Sequence, residues 1–292
     1  MGDKKTLLAI CAHFISKGVI SEYKKMSNIE GYDCILVLNN SQLNLKNDTG
    51  SPVVTVTYEG YDMNALLYDK QMHNEFNLPN GYKTEKNSSS FVLVTWYNAD
   101  YRFYYIKKYL PDYDYYWQIE YDIFCNGSSY APFLSKYENM DEDLLICKYR
   151  PEAHYSDWSW THGVDWAYEP DVQLYGSFFP ISRLSNRAAD FLYERRIEQG
   201  NIFKSLPESD QYCWPFSELF VPTELMKNGY KCADIDEPNI GFYEFDLNED
   251  RFFEHPDNLL YHPVKGRFKK RLNDCKSEIN KLREQISALS KN

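Results

Sequence analysis

Two carboxylates one residue apart, Glu120 and Asp122, close the run Tyr115-Tyr116-Trp117-Gln118-Ile119-Glu120-Tyr121-Asp122. The run reads as a strand. Alternate side chains of a strand share a face, so both acids point the same way. Acids that close repel each other unless a cation sits between them or one of them holds a proton. A hard divalent ion such as Mg²⁺ or Mn²⁺ takes carboxylate oxygens and can share its remaining positions with phosphate. The plainer account of an E-x-D pair is a polar strand end meeting solvent, so its meaning depends on the elements that carry it.

Those elements read as an α/β chain. Residues 6–14 form a first strand, 16–27 a helix and 33–39 a second strand that is apolar throughout, as a strand buried on both faces should be. Strand, helix, strand is a βαβ unit and implies a parallel sheet. Residues 53–58 read as a third strand and 91–94 as a fourth, with a loop or helix between. A helix over 98–110 ends at Pro111, and the strand with the acids follows. Residues 143–147 make another strand, and 150–170 a long loop rich in Trp, Asp and His. A helix runs from Ser182, capped there or at Ser185, to Gly200, and another from 221 to 228, stopped by Gly229. Ligands of open α/β sheets bind at the carboxyl ends of the strands, which is where Glu120 and Asp122 fall.

In this context the run around Glu120-Tyr121-Asp122 resembles the metal motif of nucleotide-sugar glycosyltransferases of the GT-A fold, usually D-x-D, with Glu in the first position. The resemblance implies a metal on Asp122 and a ribose or water-mediated metal contact from Glu120. It also implies a histidine from near the end of the catalytic domain. Leu260-Tyr261-His262-Pro263-Val264-Lys265-Gly266 is placed for it: His262 supplies an imidazole nitrogen, Lys265 a charge for the diphosphate, and Gly266 room for the backbone. In inverting members a carboxylate at the start of a helix in the second half is the general base. Glu218 matches that position best and Asp210 second. Arg102 is a diphosphate candidate, with a salt bridge as the alternative.

The loop Asp157-Trp158-Ser159-Trp160-Thr161-His162-Gly163-Val164-Asp165-Trp166 packs three tryptophans among polar groups. Trp158, Trp160, His162 and Trp166, with Trp214 downstream, read as acceptor contacts, since such faces stack on sugar rings. Equally, they could pin the loop to its domain. His154, Asp157 and His162 lack a diagnostic metal spacing.

Composition narrows the rest. The 292 residues carry a net charge of −11, which argues against nucleic acid as partner. Seven scattered cysteines without a C-x-x-C spacing read as free thiols of a reducing cytosol. The opening run reads as a buried strand rather than a signal peptide, and the sequons at Asn47, Asn87 and Asn126 read as chance. From residue 265 onward nine Lys or Arg face three Asp or Glu. Phe268, Leu272, Cys275, Ile279, Leu282, Ile286 and Leu289 form a heptad seam there. This basic helix can pack on its own domain, pair with a second copy through 268–289, or lie on an anionic membrane.

The sequence therefore predicts a GT-A-like, mostly parallel sheet flanked by helices. It divides into a catalytic domain over 1–266 (a nucleotide-sugar half to about 127 and an acceptor half to 266) and a basic heptad helix over 267–292. The expected activity is transfer from a nucleotide-sugar donor to a glycan or lipid-linked acceptor, dependent on Mn²⁺ or Mg²⁺. The expected setting is surface polysaccharide biosynthesis in the cytoplasm, with peripheral contact at the inner face of the membrane as one role for the tail. A nucleotidyltransferase acting on sugar phosphates is one rival, although Cys11-Ala12-His13-Phe14-Ile15-Ser16-Lys17-Gly18 makes a poor Gly- and Lys-rich loop. A non-catalytic glycan-binding or scaffold protein is the other.

Overall fold

The structure, a computed structural model, describes residues 4–43, 45, 50–80, 91–151, 159–207, 213–242 and 260–289. The first half runs β1 (Thr6–Ala12), α1 (Lys17–Ser27), β2 (Tyr32–Asn39), a short α2 (Asn40–Leu43), β3 (Val53–Tyr58), β4 (Tyr61–Tyr68), α3 (Lys70–Glu75), α4 (Phe91–Tyr97), α5 (Tyr101–Tyr109), β5 (Tyr115–Glu120) and β6 (Phe124–Cys125). There follow α6 (Ala131–Ser135), β7 (Leu144–Pro151), β8 (Tyr175–Ser185), α7 (Asn186–Ser205), α8 (Ser217–Lys227), β9 (Cys232–Asp234), β10 (Leu260–Tyr261) and α9 (Gly266–Leu289).

Eight strands form one sheet in the order β3-β4-β2-β1-β5-β8-β7-β9. The pairings β4–β2, β2–β1, β1–β5 and β7–β9 are parallel; β3 and β8 run against their neighbours. The result is a mixed, mostly parallel sheet with helices on both faces. β1 shows why it is central: Leu7, Ala9 and Cys11 enter one core, shared with α5, α7 and α8, while Leu8, Ile10 and Ala12 enter the other, shared with α1 and α6. Flanked on both faces, Leu7 to Ala12 form an unbroken apolar run.

Local signals account for most boundaries. Ser16 caps α1 by accepting from the Val19 amide at 3.3 Å. Ser185 caps α7 by accepting from Ala188 at 3.2 Å. Several expectations need correction. Residues 91–94 are the first turn of α4, not a strand; a short apolar run fits either period, and only packing separates the two. The strand paired with β2 is β4, whose alternation Tyr61-Asp62-Met63-Asn64-Ala65 the sequence reading missed. Val53–Tyr58 is a strand, but an antiparallel edge, returned to β4 through Glu59 and Gly60 at φ 48° and 76°. Ser182 lies inside β8, so the helix starts only after Ser185. Nor does Gly200 end it: α7 continues to Ser205, and a Cβ on Gly200 would sit 3.1 Å from Cγ of Pro79, so glycine serves close packing there. α8 begins at Ser217 rather than at 221.

Candidate functional site

β5 stops at Glu120, and Asp122 lies in the turn beyond it. The turn, not strand alternation, aims Asp122. Glu120 pairs in register with Cys11 at the end of parallel β1, which puts the acids at the carboxyl edge of the sheet.

A separate two-stranded ribbon brings the distant histidine there. β10 pairs antiparallel with β6, Leu260 against Cys125 and Tyr261 against Phe124. The next residue, His262, is thereby brought beside Asp122, and the Val264 amide donates to the Asp122 carbonyl at 2.8 Å. His262 also exchanges backbone bonds with Asn239 and Gly241. Its ring meets Phe178 edge-on at 5.3 Å. Ligand atoms of Glu120, Asp122 and His262 all lie within 4.8 Å of one another.

The protonation of this cluster follows from its partners. His262 Nδ1 lies 2.8 Å from the Gly241 carbonyl, which can only accept, so Nδ1 carries a hydrogen. Nε2 then turns either a lone pair or a second proton toward Asp122 Oδ1, 3.4 Å away. That oxygen is buried and makes no hydrogen bond of good geometry. Burial penalises the Asp122 carboxylate, but the facing imidazole and the Lys265 ammonium, 3.5 Å from Oδ2, outweigh it and hold the group below its ordinary range. Burial likewise opposes a charged His262, and Asp122 outweighs it in the other direction, raising the imidazole. Two electron-rich atoms held this close call for positive charge between them. A proton can supply it, and so can a divalent cation, for which two carboxylates and a neutral imidazole are a suitable donor set.

Arg102 is buried and its Nη2 donates to Glu120 Oε1 at 3.0 Å. The alternative of a surface salt bridge is corrected to a buried one, in which the Arg102 charge partly neutralises Glu120. The sequence reading passed over His13, which follows β1 at the same sheet edge. Its ring meets Phe14 at 4.8 Å and Tyr121 at 5.0 Å, both edge-on. Burial lowers the His13 pKa, against the pull of Asp122 and Glu120. The end of a central parallel strand was the signal that could have found it.

Glu218 sits in the first turn of α8. Pro222, one turn on, has no amide hydrogen to give the Glu218 carbonyl. Ser177 Oγ of β8 donates to that carbonyl instead, at 2.9 Å. The Trp160 indole donates to Glu218 Oε2 at 2.5 Å. Burial pushes the Glu218 carboxyl up to about 7, with the Trp160 bond opposing and Glu120 adding to the rise. The segment before it is anchored by a fully buried ion pair. Arg196 donates to both oxygens of Asp100, at 2.8 and 3.1 Å, and to the Pro215 carbonyl at 2.7 Å. Ser217 Oγ donates to the Tyr97 carbonyl and accepts from the Ala99 amide, both at 3.2 Å.

The remaining candidates divide. Trp160 touches Glu218. Trp166 donates to the Cys213 carbonyl at 2.8 Å and stacks on Trp214, which is buried against Arg196 and Phe203. Trp166 thereby ties its loop to the segment at Cys213 and Trp214. His162 is exposed on a turn. Asp210, Trp158, His154 and Asp157 lie outside the described residues.

No protein-family model matches the chain, and no curated protein does. Among solved structures it is similar to mouse xyloside xylosyltransferase 1, at 10% identity over 89% of this chain and 97% of that one, TM-score 0.45. It is similar to an active-site mutant of LgtC at 11% identity over 93% and 95%, TM-score 0.46. A third is the glycosyltransferase GlyE of Streptococcus pneumoniae TIGR4, at 12% identity over 93% of this chain and 60% of that one, TM-score 0.39.

Proposed function

We propose that this chain is a divalent-metal-dependent glycosyltransferase of the GT-A type. It moves a sugar from a nucleotide-sugar donor to a hydroxyl of a glycan or lipid-linked acceptor, in the assembly of surface polysaccharide. The observation that carries the reading is the convergence of Glu120, Asp122 and His262 at the carboxyl edge of the parallel strands.

Asp122, His262 and Glu120 would hold Mn²⁺ or Mg²⁺, which when bound neutralises the charge growing on a diphosphate leaving group. The chain's own groups supply the remainder. Gly241 fixes the His262 tautomer so that Nε2 faces the site. Lys265 brings a cation beside Asp122, and that charge would meet a donor phosphate bound at the cluster. Arg102 holds Glu120 in one orientation.

At the acceptor, Glu218 takes the hydroxyl proton as the oxygen forms its bond to the anomeric carbon and the carbon–phosphate oxygen bond breaks, in an inverting reaction. A carboxyl near 7 suits a base working at neutral pH, because it is half ionised and still basic enough to pull a proton. The Trp160 N–H fixes one of its oxygens.

The test is a thermal-shift screen of nucleotide diphospho-sugars and CMP-sugars with and without Mn²⁺. At least one donor should raise the melting temperature only when the metal is present. A chain that responds to no nucleotide sugar under either condition contradicts the proposal.

A further inference from the structure

A cavity of about 440 Å³ opens where α3, α5 and α7 meet. It lies away from the cluster of Glu120, Asp122 and His262. α5 starts at the carboxyl edge of the sheet, where Arg102 meets Glu120. Six residues on, about 9 Å along the helix, Lys108 lines the cavity. Beside it Lys107 donates to the Asn186 carbonyl at 3.0 Å, and the Asn186 amide donates to the Asp114 carbonyl, just before β5. The cavity therefore sits toward the amino edge of the parallel strands. Its floor is aromatic. Phe76 and Tyr104 are buried there, and Tyr193 lines it while only half-buried. Tyr193 meets Phe76 at 5.7 Å and Tyr104 at 5.6 Å, and its hydroxyl donates to the Phe76 carbonyl at 3.3 Å. The tyrosine is thus held in place without a ligand.

Charge selects the ligand. Glu75 and Lys108 stand exposed on the walls, the Lys108 ammonium 4.7 Å from the Phe76 ring centre. Asp190 and Lys107 face the cavity as an ion pair. Two cations and two anions cancel, so the walls offer a charged ligand no net attraction. A wholly apolar ligand would strip water from all four charges. A hydroxyl both donates and accepts, and here it finds carboxylates to receive its hydrogen and ammonium groups to give one. Above an aromatic floor, which takes the C–H face of a pyranose, this is the lining of a sugar site. The volume falls within the roughly 300–1,000 Å³ of small-molecule pockets and has room for one or two sugar units. We propose that this cavity is an accessory binding site for a neutral glycan, separate from the reacting centre. It goes beyond the transferase reading and needs neither metal nor nucleotide.

The experiment titrates the full chain by saturation-transfer NMR in EDTA, with lactose, cellobiose, maltose and chitobiose, and with choline and inorganic phosphate as charged probes. At least one disaccharide should bind wild type and Asp122→Ala equally. Tyr193→Ala should weaken it about five- to ten-fold, as loss of one aromatic contact would, and Tyr193→Phe should keep most of the affinity. Glu75→Ala and Lys108→Ala change only the exposed wall, and each should weaken it about three- to ten-fold, as loss of one hydrogen bond would. A wild-type chain that binds none of the four sugars overturns the site, as does binding that all three alanine variants at the cavity leave unchanged, or binding that Asp122→Ala abolishes. Choline or phosphate binding tighter than every sugar and lost in Tyr193→Ala overturns the neutral-glycan assignment. The thermal-shift screen of nucleotide sugars is run alongside. Glycan binding that depends on Tyr193, without any nucleotide-sugar response, leaves this site standing and removes the transferase reading; an Mn²⁺-dependent donor response with no glycan bound at the cavity does the reverse.

Discussion

His262 Nε2 faces Asp122 Oδ1 across 3.4 Å, while the other nitrogen of the same ring is committed to the Gly241 carbonyl at 2.8 Å. Only the Asp122 side of the imidazole is available for chemistry. Glu120 and Lys265 complete the surroundings, and the backbone bond from Val264 to Asp122 keeps the histidine's loop in place.

Asp122→Ala removes the central oxygen donor of this cluster. In the wild type, Mn²⁺ at a hundred times its dissociation constant should stabilise the fold by about 2.7 kcal/mol. The variant should lose that response and bind no nucleotide sugar with metal dependence. Isothermal titration calorimetry checks both, and an unchanged titration removes Asp122 as a ligand.

Glu218→Gln keeps the shape of the side chain and abolishes its titration. Donor binding should survive while transfer falls by about 10²- to 10⁴-fold, the usual worth of a general base. In the wild type the rate should rise with pH as the carboxyl loses its proton near 7. A full rate in the variant excludes Glu218 as the base.

The same carboxyl affects stability. Its folded pKa is raised from an ordinary 4.5 to about 7, so the folded chain binds more protons than the unfolded one between those values. Stability contributed by this site is therefore fully present below about 4.5 and is lost as pH rises through 7. Glu218→Gln should melt higher than wild type at pH 8, and the difference should vanish at pH 4.5. Melting curves at the two pH values decide it; a pH-independent difference contradicts the assignment.

The Asp100–Arg196 pair is completely buried and anchors the segment before Glu218. Arg196→Met leaves Asp100 as an unpaired buried charge and should cost about 3–5 kcal/mol in urea denaturation. Adding Asp100→Leu should recover much of the loss, because the uncompensated charge goes with it. A single variant as stable as wild type would mean the pair is not the anchor.

Leu282, Ile286 and Leu289 of α9 are 57%, 65% and 75% exposed. They belong to the heptad seam for which pairing with a second copy is one of three readings, and Ile at one core position with Leu at the other would favour a two-stranded pair. Deleting residues 268–292 should lower the mass seen by light scattering. An unaltered mass rules out self-association through this helix.

Much of the framework is written in local sequence. The continuous apolar runs of β1 and β2, the serine caps of α1 and α7 and the proline after α5 act over a few residues, so composition alone reveals them. The order of acids, Glu218 and His262 along the chain was likewise enough to nominate them. What neighbouring residues could not decide was any choice between two local minima of similar depth. Residues 91–94 could be strand or helix by local pattern and are helical in the fold, while β4 pairs with β2. Three-dimensional pairing also made the site. The β6–β10 ribbon sets His262 against Asp122, Ser177 replaces the hydrogen bond that Pro222 cannot give, and Trp160 meets Glu218 from a different loop. Each of these contacts joins segments distant in the chain, and their strength depends on burial, a property no stretch of sequence has until the whole chain has folded around it.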